Sequence, residues 1–386
     1  MPASDPQPRI HAQTTGTRAV RGLAIRVLVA GLCLTVGAPV AIAQVLRHPP
    51  KATLEAAPRQ SLVIAGEPLV DSNSPVLWDE VEGTPRLFVM TSFAGAARVS
   101  SGTRLGEIEA GDPVQWDAWP VGGAWMEAVV KADDGTWYGY YHNEVSTACP
   151  GDSRVQPQIG AARSTDQGRT WTNLGIVLAS PSQDCETRNQ YFTGGVGDFS
   201  VQLSTDRSEL YLMYSQYTPD LAGQGVAVAR MSWADRDAPE GRLAVWDGHV
   251  WRPVEAQWTD DGVLAGYTYP VGASLFTAHD SLHDGGTSDV YWGPSVHWND
   301  HLQQYVMLLS RAGTPGFGQD GIYVSFSPTL TAPGKWTSPA RILSGGEWYP
   351  QVVGLEPGTG SDKDAGAVVR FFMAGVSEHV LVFTND

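Results

Sequence analysis

Five short apolar segments recur along the chain, each followed by a polar turn rich in Asp, Asn and Gly and then by a second strand of alternating aromatic and β-branched residues. They read SNSPVLWDEVEGTPRLFVMTSF around Val76, AWMEAVVKADDGTWYGYYHNE around Val129 and GDFSVQLSTDRSELYLMYSQY around Val201. The last two are WGPSVHWNDHLQQYVMLLSRA around Val296 and WYPQVVGLE with AGAVVRFFMAGV around Val352. Two more strands follow most of these hairpins, for example 158–164 with 171–178, and 225–233 with 244–254. Four antiparallel strands repeated five times predict an all-β fold, a five-bladed β-propeller, in preference to a two-sheet sandwich. After Val352 the chain supplies three strands, so a strand at Ser61, Leu62, Val63 and Ile64 is expected to close the last blade. The aligned valines are spaced by 53, 72, 95 and 56 residues, which places insertions between blades.

Composition agrees with this pattern and adds a processing step. Of 386 residues, 43 are Gly, 26 are Pro and only 17% are charged, a turn-rich makeup that excludes coiled coil and collagen. Residues 1–43 hold four Arg and one Asp, then an apolar stretch from Leu23 that closes on Ala41-Ile42-Ala43. This reads as a signal peptide cleaved near Ala43, hence a secreted or periplasmic protein. Residues 44–60 read as a linker and 61–386 as one domain. The formal charge of −16 repels phosphate backbones and anionic membrane surfaces, so neither nucleic acid nor membrane is an expected partner, and a monomer is expected. Export leaves Cys149 and Cys185 as an even pair in an oxidising compartment, expected to form a disulfide.

Residues 164–171 match S-x-D-x-G-x-T-W, the turn called the Asp-box in sialidases and other propellers. Ser164, Asp166, Gly168, Thr170 and Trp171 are read as structural, since Asp and Gly suit a tight turn and the indole packs between blades. The turn belongs to the face opposite the starts of the first strands. On that other face, first-strand starts meet second-strand ends around the channel. They bring Asp71 and Asn73 from blade one, Trp125, Glu127, His142, Asn143 and Glu144 from blade two, and Asp198 and Tyr217 from blade three. Blade four adds Asp289, Trp292 and Arg311, and blade five adds Glu347 and Trp348. Trp125, Trp292 and Trp348 each stand four residues before their blade's aligned valine. Convergent carboxylates and aromatic faces suit sugar chemistry, with Asp198, Glu144, Asp71 and Asp289 as catalytic candidates and the remainder as binding residues. His279 and His283 lie in a Gly-, Ser- and Asp-rich stretch, read as a solvated loop. No Gly-x-Ser-x-Gly elbow, P-loop or spaced zinc motif is present.

The blade starts resemble those of the five-bladed glycosidases of glycoside hydrolase families 43 and 32. Gly197-Asp198-Phe199-Ser200-Val201 looks like an Asp-Pro-x-Val start, Trp125-Met126-Glu127-Ala128-Val129 like Trp-Ala-Pro-x-Val, and Gly293-Pro294-Ser295-Val296 like a Glu-Gly-Pro start. The resemblance implies a glycoside hydrolase acting on an extracellular poly- or oligosaccharide; no cofactor is expected, and a structural calcium in the channel is left open. The chain departs from the pattern where Trp292 replaces the general-acid Glu before Gly-Pro, and where Asn73, with Asp71 two residues earlier, replaces the base. A non-catalytic, lectin-like propeller and a sialidase-like exo-glycosidase are the alternatives.

Overall fold

A computed structural model describes residues 49–62, 70–180, 183–284 and 289–385. The leader read over residues 1–43 lies outside the described residues, as do Val63 and Ile64. Five antiparallel sheets form the five blades. Blade one comprises Val76–Val81, Thr84–Phe93, Ala96–Gly102 and Ile108–Pro113; blade two comprises Trp125–Lys131, Trp137–Ser146, Val155–Ser164 and Thr170–Leu178. Blade three runs through Val196–Leu203, Glu209–Gln216, Gly225–Ser232 and Ala244–Trp246, and blade four through Val290–Asn299, Gln304–Ala312, Gln319–Ser327 and Ala340–Ser344. Blade five takes Gln351–Gly354, Val368–Met373 and Val376–Thr384 from the end of the chain and Lys51–Ser61 from its beginning.

The aligned valines occupy the first strands, and all five are buried, between 0 and 3% exposed. Burying a side chain of this size contributes about 1.5–3 kcal/mol, so the repeat that marks the blades also holds them. Around the channel, polar side chains tie blade to blade. Asn73 Nδ2 donates to the carbonyls of Phe199 (3.1 Å) and Pro294 (3.3 Å), joining blades one, three and four. Gln351 of blade five exchanges hydrogen bonds with the Ser74 backbone at 2.7 and 2.8 Å.

Two sequence expectations are corrected. The closing strand is Lys51–Ser61, which shares only Ser61 with the expected strand and otherwise lies in the stretch read as linker, and it pairs with Val376–Thr384 from Lys51↔Thr384 to Ser61↔Val376. Its solvent-facing residues mask the apolar signal, because only Ala52 and Leu54 pack on the blade-five core. Pro58 falls where the register shifts between Ala56 and Gln60, a position that an edge strand tolerates. The stretch read as one strand over 244–254 is instead a tight hairpin, Ala244–Trp246 with Trp251–Pro253, turned by Asp247, whose Oδ1 accepts the His249 and Val250 N–H groups at 2.8 Å.

The Ser164–Trp171 turn is closed by its own side chains. Asp166 Oδ1 accepts from Ser164 Oγ (2.8 Å) and Thr170 N (2.9 Å), Oδ2 accepts from Thr170 Oγ1 (2.7 Å), and the Trp171 indole donates to the Gly168 carbonyl (2.9 Å). These contacts leave the Asp166 carboxylate committed to the turn.

Cys149 and Cys185 are disulfide-bonded, with Cα atoms 5.5 Å apart. The bond joins the loop after blade two's second strand to the loop after its fourth. Arg154 reinforces the junction by donating to the carbonyls of Thr187 (2.7 Å), Asn189 (2.9 Å) and Cys185 (3.0 Å). The bridge spans 36 residues, so replacing both cysteines with serine is expected to lower unfolding free energy by about 2–4 kcal/mol. Chemical denaturation of the double variant checks this, and an unchanged midpoint would show the loops to be held without the bond.

Candidate active site

The first strands of blades two, three and four break register at the same end. Irregularities fall between Met126 and Ala128, between Gly197 and Phe199, and between Trp292 and Ser295. Such a bulge re-aims a side chain that regular pleating would direct to one face of the sheet. Here the extra residues are Glu127 and Asp198, and both reach a cavity of about 420 Å³ at that end of the channel. Asp198 (φ +39°), Gly293 (φ +57°) and Tyr349 (φ +56°) all stand three residues before their aligned valines in left-handed backbone. For Asp and Tyr this conformation carries strain, which persists where surrounding structure enforces it.

The cavity is lined by four carboxylates, Asp71, Glu127, Glu144 and Asp198, with His142 among them. Glu127 is 2% and Asp198 6% exposed. Glu127 Oε2 accepts the Phe199 N–H at 2.7 Å, yet burial, with the neighbouring Asp198 charge, pushes its carboxyl up to about 8. Burial likewise raises Asp198, whose Oδ2 accepts a short hydrogen bond from the Tyr217 hydroxyl. Burial also raises Asp71. Its Oδ2 accepts the Ala94 N–H at 3.0 Å, whereas Oδ1 is buried without a protein partner.

His142 organises this group. Its Nδ1 accepts the Asp198 N–H at 3.2 Å, and Nε2 faces Glu144 Oε1 at 3.3 Å, an arrangement that describes a neutral ring carrying its proton on Nε2. Against the cost of burial, the Glu144 hydrogen bond and the charges of Asp198 and Glu127 favour a second proton, but that proton would sit on Nδ1 and displace the Asp198 N–H, so the ring stays neutral in this geometry. The ring approaches so closely that a Cβ added at Gly197 would lie 2.4 Å from its Cε1 and Nδ1. Gly197→Ala is therefore expected to displace His142 and to cost about 1–3 kcal/mol of stability through overpacking. Unfolding measurements check this, and wild-type stability would contradict the tight contact.

Glu127, His142 and Asp198 each offer one donor atom, all within 4.8 Å of one another. The set fits calcium poorly, because that ion takes six to eight oxygen ligands and the His142 Nδ1 lone pair already faces the Asp198 N–H.

Aromatic rings wall the cavity: Trp125, Trp292, Trp348 and Tyr349 from blade starts, and Tyr191, Phe192 and Phe317 from loops. Phe192 packs 4.5 Å from Tyr217, and Trp292 packs 5.1 Å from Phe317. The loop residues, with Arg154 and Gln190, escaped the sequence reading because no strand pattern places them. Their only signal was proximity to the cysteines and, for Phe317, a Gly-Phe-Gly turn.

Several sequence candidates do not line the cavity. Asp289 instead accepts the His279 N–H at 2.7 Å and pairs with that imidazole, since it precedes the blade-four strand rather than beginning it. Arg311 turns to the third strand, to Asp320 (3.1 Å) and the Tyr323 hydroxyl (3.3 Å). Glu347 is exposed to solvent. Asn143 clamps the preceding loop through the carbonyls of Val121 and Gly123, Asn73 binds the blades together, and Tyr217 lies behind Asp198. His283, read as part of a solvated loop, is buried and hydrogen-bonds Thr187.

No protein-family model matches the chain, and no curated protein matches it. Solved structures with a similar fold include an endo-arabinase from Bacteroides thetaiotaomicron, at 12% identity and TM-score 0.47, over 83% of this chain and 98% of that one. An α-L-arabinofuranosidase from Lactobacillus brevis is similar at 13% identity and TM-score 0.46, over 82% and 90%. The catalytic domain of the Coprinopsis cinerea family 62 α-L-arabinofuranosidase is similar at 11% identity and TM-score 0.42, over 88% and 98%.

Proposed function

We propose that this protein is a secreted glycoside hydrolase that cleaves a glycosidic bond in an extracellular poly- or oligosaccharide. The observation that carries the reading is the clustering of a buried, proton-retaining pair, Glu127 and Asp198, with a third carboxylate, Asp71, inside one aromatic-walled cavity. The pair shares a proton near neutral pH, because two ionised carboxylates at this depth would repel each other without solvent to screen them. That proton goes to the oxygen of the departing sugar as the bond to the anomeric carbon breaks. Asp71, with its unpartnered Oδ1, accepts a proton from the water that attacks the anomeric carbon. Protons balance over the cycle, one donated to the leaving group and one taken from water.

Glu127 thus stands in for the acid absent before Gly293-Pro294. Glu144 acts through His142, whose tautomer and orientation it fixes. The basic and apolar leader sequence and the disulfide support export.

Comparing Asp71→Asn with Glu144→Gln tests the assignment. Asp71→Asn is expected to lower turnover by about 10²–10⁴-fold, the typical contribution of a general base, and Glu144→Gln by about tenfold. The reverse order in steady-state assays would transfer the base role to Glu144.

A further inference from the structure

The channel's opposite mouth holds a second cavity of about 460 Å³, reached by the far ends of the first strands and by the loop after blade five's first strand. It is separate from the candidate active site. Between the two, the channel is crossed by the buried Asn73 bridge to the Phe199 and Pro294 carbonyls and by the Ser74–Gln351 pair. Trp78 and Trp298 line it, as do Lys131, Arg207, Lys363 and Gln202.

The chemistry of these groups selects a ligand class. Both indole N–H groups are already engaged, Trp78 with the Gly360 carbonyl (2.9 Å) and Trp298 with Asp300 Oδ1 (2.8 Å), so the rings offer carbon surface to an occupant. Each cation has an acidic partner: Lys131 with Asp79, Arg207 with Asp133 at 3.3 Å, and Lys363 with Asp362 at 3.0 Å. Asp364 also lines the cavity, so acids outnumber cations on this wall and an anion finds no net attraction, while the fixed donors and acceptors suit hydroxyl groups. Gln202 is 6% exposed, and its Oε1 has no protein partner although the residue lines the cavity. A buried acceptor in that state costs free energy until a donor reaches it.

We propose that this mouth is a second, non-catalytic binding site for a neutral saccharide, seated against Trp78 and Trp298 with a hydroxyl donating to Gln202. The inference does not depend on catalysis at the first cavity, since it rests on a different set of residues.

Fluorine NMR of the full chain labelled with fluorotryptophan tests it, with Trp78 and Trp298 signals assigned from single Trp→Phe variants. The probes are neutral hexasaccharides of arabinose, xylose and galactose, and a hexauronide. At least one neutral probe is expected to shift the Trp78 and Trp298 signals saturably. Arg207→Gln, on a partly exposed turn that the core does not need, is expected to weaken that binding about fivefold or more while leaving the Trp125 response unchanged. Trp78 and Trp298 signals that no neutral probe moves would overturn the proposal, as would a response to the hexauronide equal to the neutral one. Loss of turnover at the first cavity would not touch it.

Discussion

Glu127→Gln and Asp198→Asn are each expected to lower turnover by about 10²–10⁴-fold while leaving the fold intact. Both substitutions keep the shape of the side chain. Glutamine at 127 can still accept the Phe199 N–H, and asparagine at 198 can still accept from the Tyr217 hydroxyl. What is lost is the shared proton, because an amide can neither release one to a leaving group nor hold a negative charge. The two effects should be far from additive, since the pair acts as one unit, and the double variant should be little slower than either single one. Steady-state rates for all three variants check this. Two independent, multiplying losses would show that the carboxylates serve separate steps.

Stability is expected to fall as pH rises from about 6.5 to about 8. Glu127 is held up to about 8 in the folded protein, against an ordinary value of 4.5, so across that interval the folded state holds a proton that the unfolded state has released. Stability then decreases with pH at about 1.4 kcal/mol per unit, or about 2 kcal/mol over this interval. In the opposite direction, His283 and His297, held down by burial to about 4 and about 3, lose their contribution as pH falls below about 6.5, and Asp206 and Asp247, held down to about 2 by local hydrogen bonds, lose theirs as pH falls toward that value. Urea midpoints at about pH 6.5 and pH 8 measure the slope, which Glu127→Gln should flatten. A wild-type midpoint that rises with pH would mean that Glu127 is ionised in the folded protein.

The fold was legible in the sequence because the aligned valines are buried in five equivalent strands, and burial leaves a pattern. The closing strand was not, because Lys51–Ser61 lies on an edge, where exposed Lys, Glu and Arg residues are compatible with pairing and Pro58 with a local register shift. Residues that start the inner strands were visible as a converging set, which is why Asp198, Glu127, Trp125, Trp292 and Trp348 were read toward the cavity that they line. Register irregularities were invisible, although they re-aim Glu127 and Asp198, because a bulge depends on pairing with a partner strand. Asp289 and Arg311 show the same limit from the other side. Their distance from the aligned valine suggested the rim, and local partners, His279 for one and Asp320 with Tyr323 for the other, took them away from it.

The most direct measurement pairs binding with turnover, using wild-type protein and Asp198→Asn on neutral poly- and oligosaccharides. Release of reducing sugar reports cleavage, and calorimetric titration reports affinity. The wild type is expected to release reducing sugar from at least one of them, and Asp198→Asn to bind the same substrate with similar affinity while releasing almost none. Saccharide binding by both proteins with no product from either would contradict the catalytic reading and leave a carbohydrate-binding propeller.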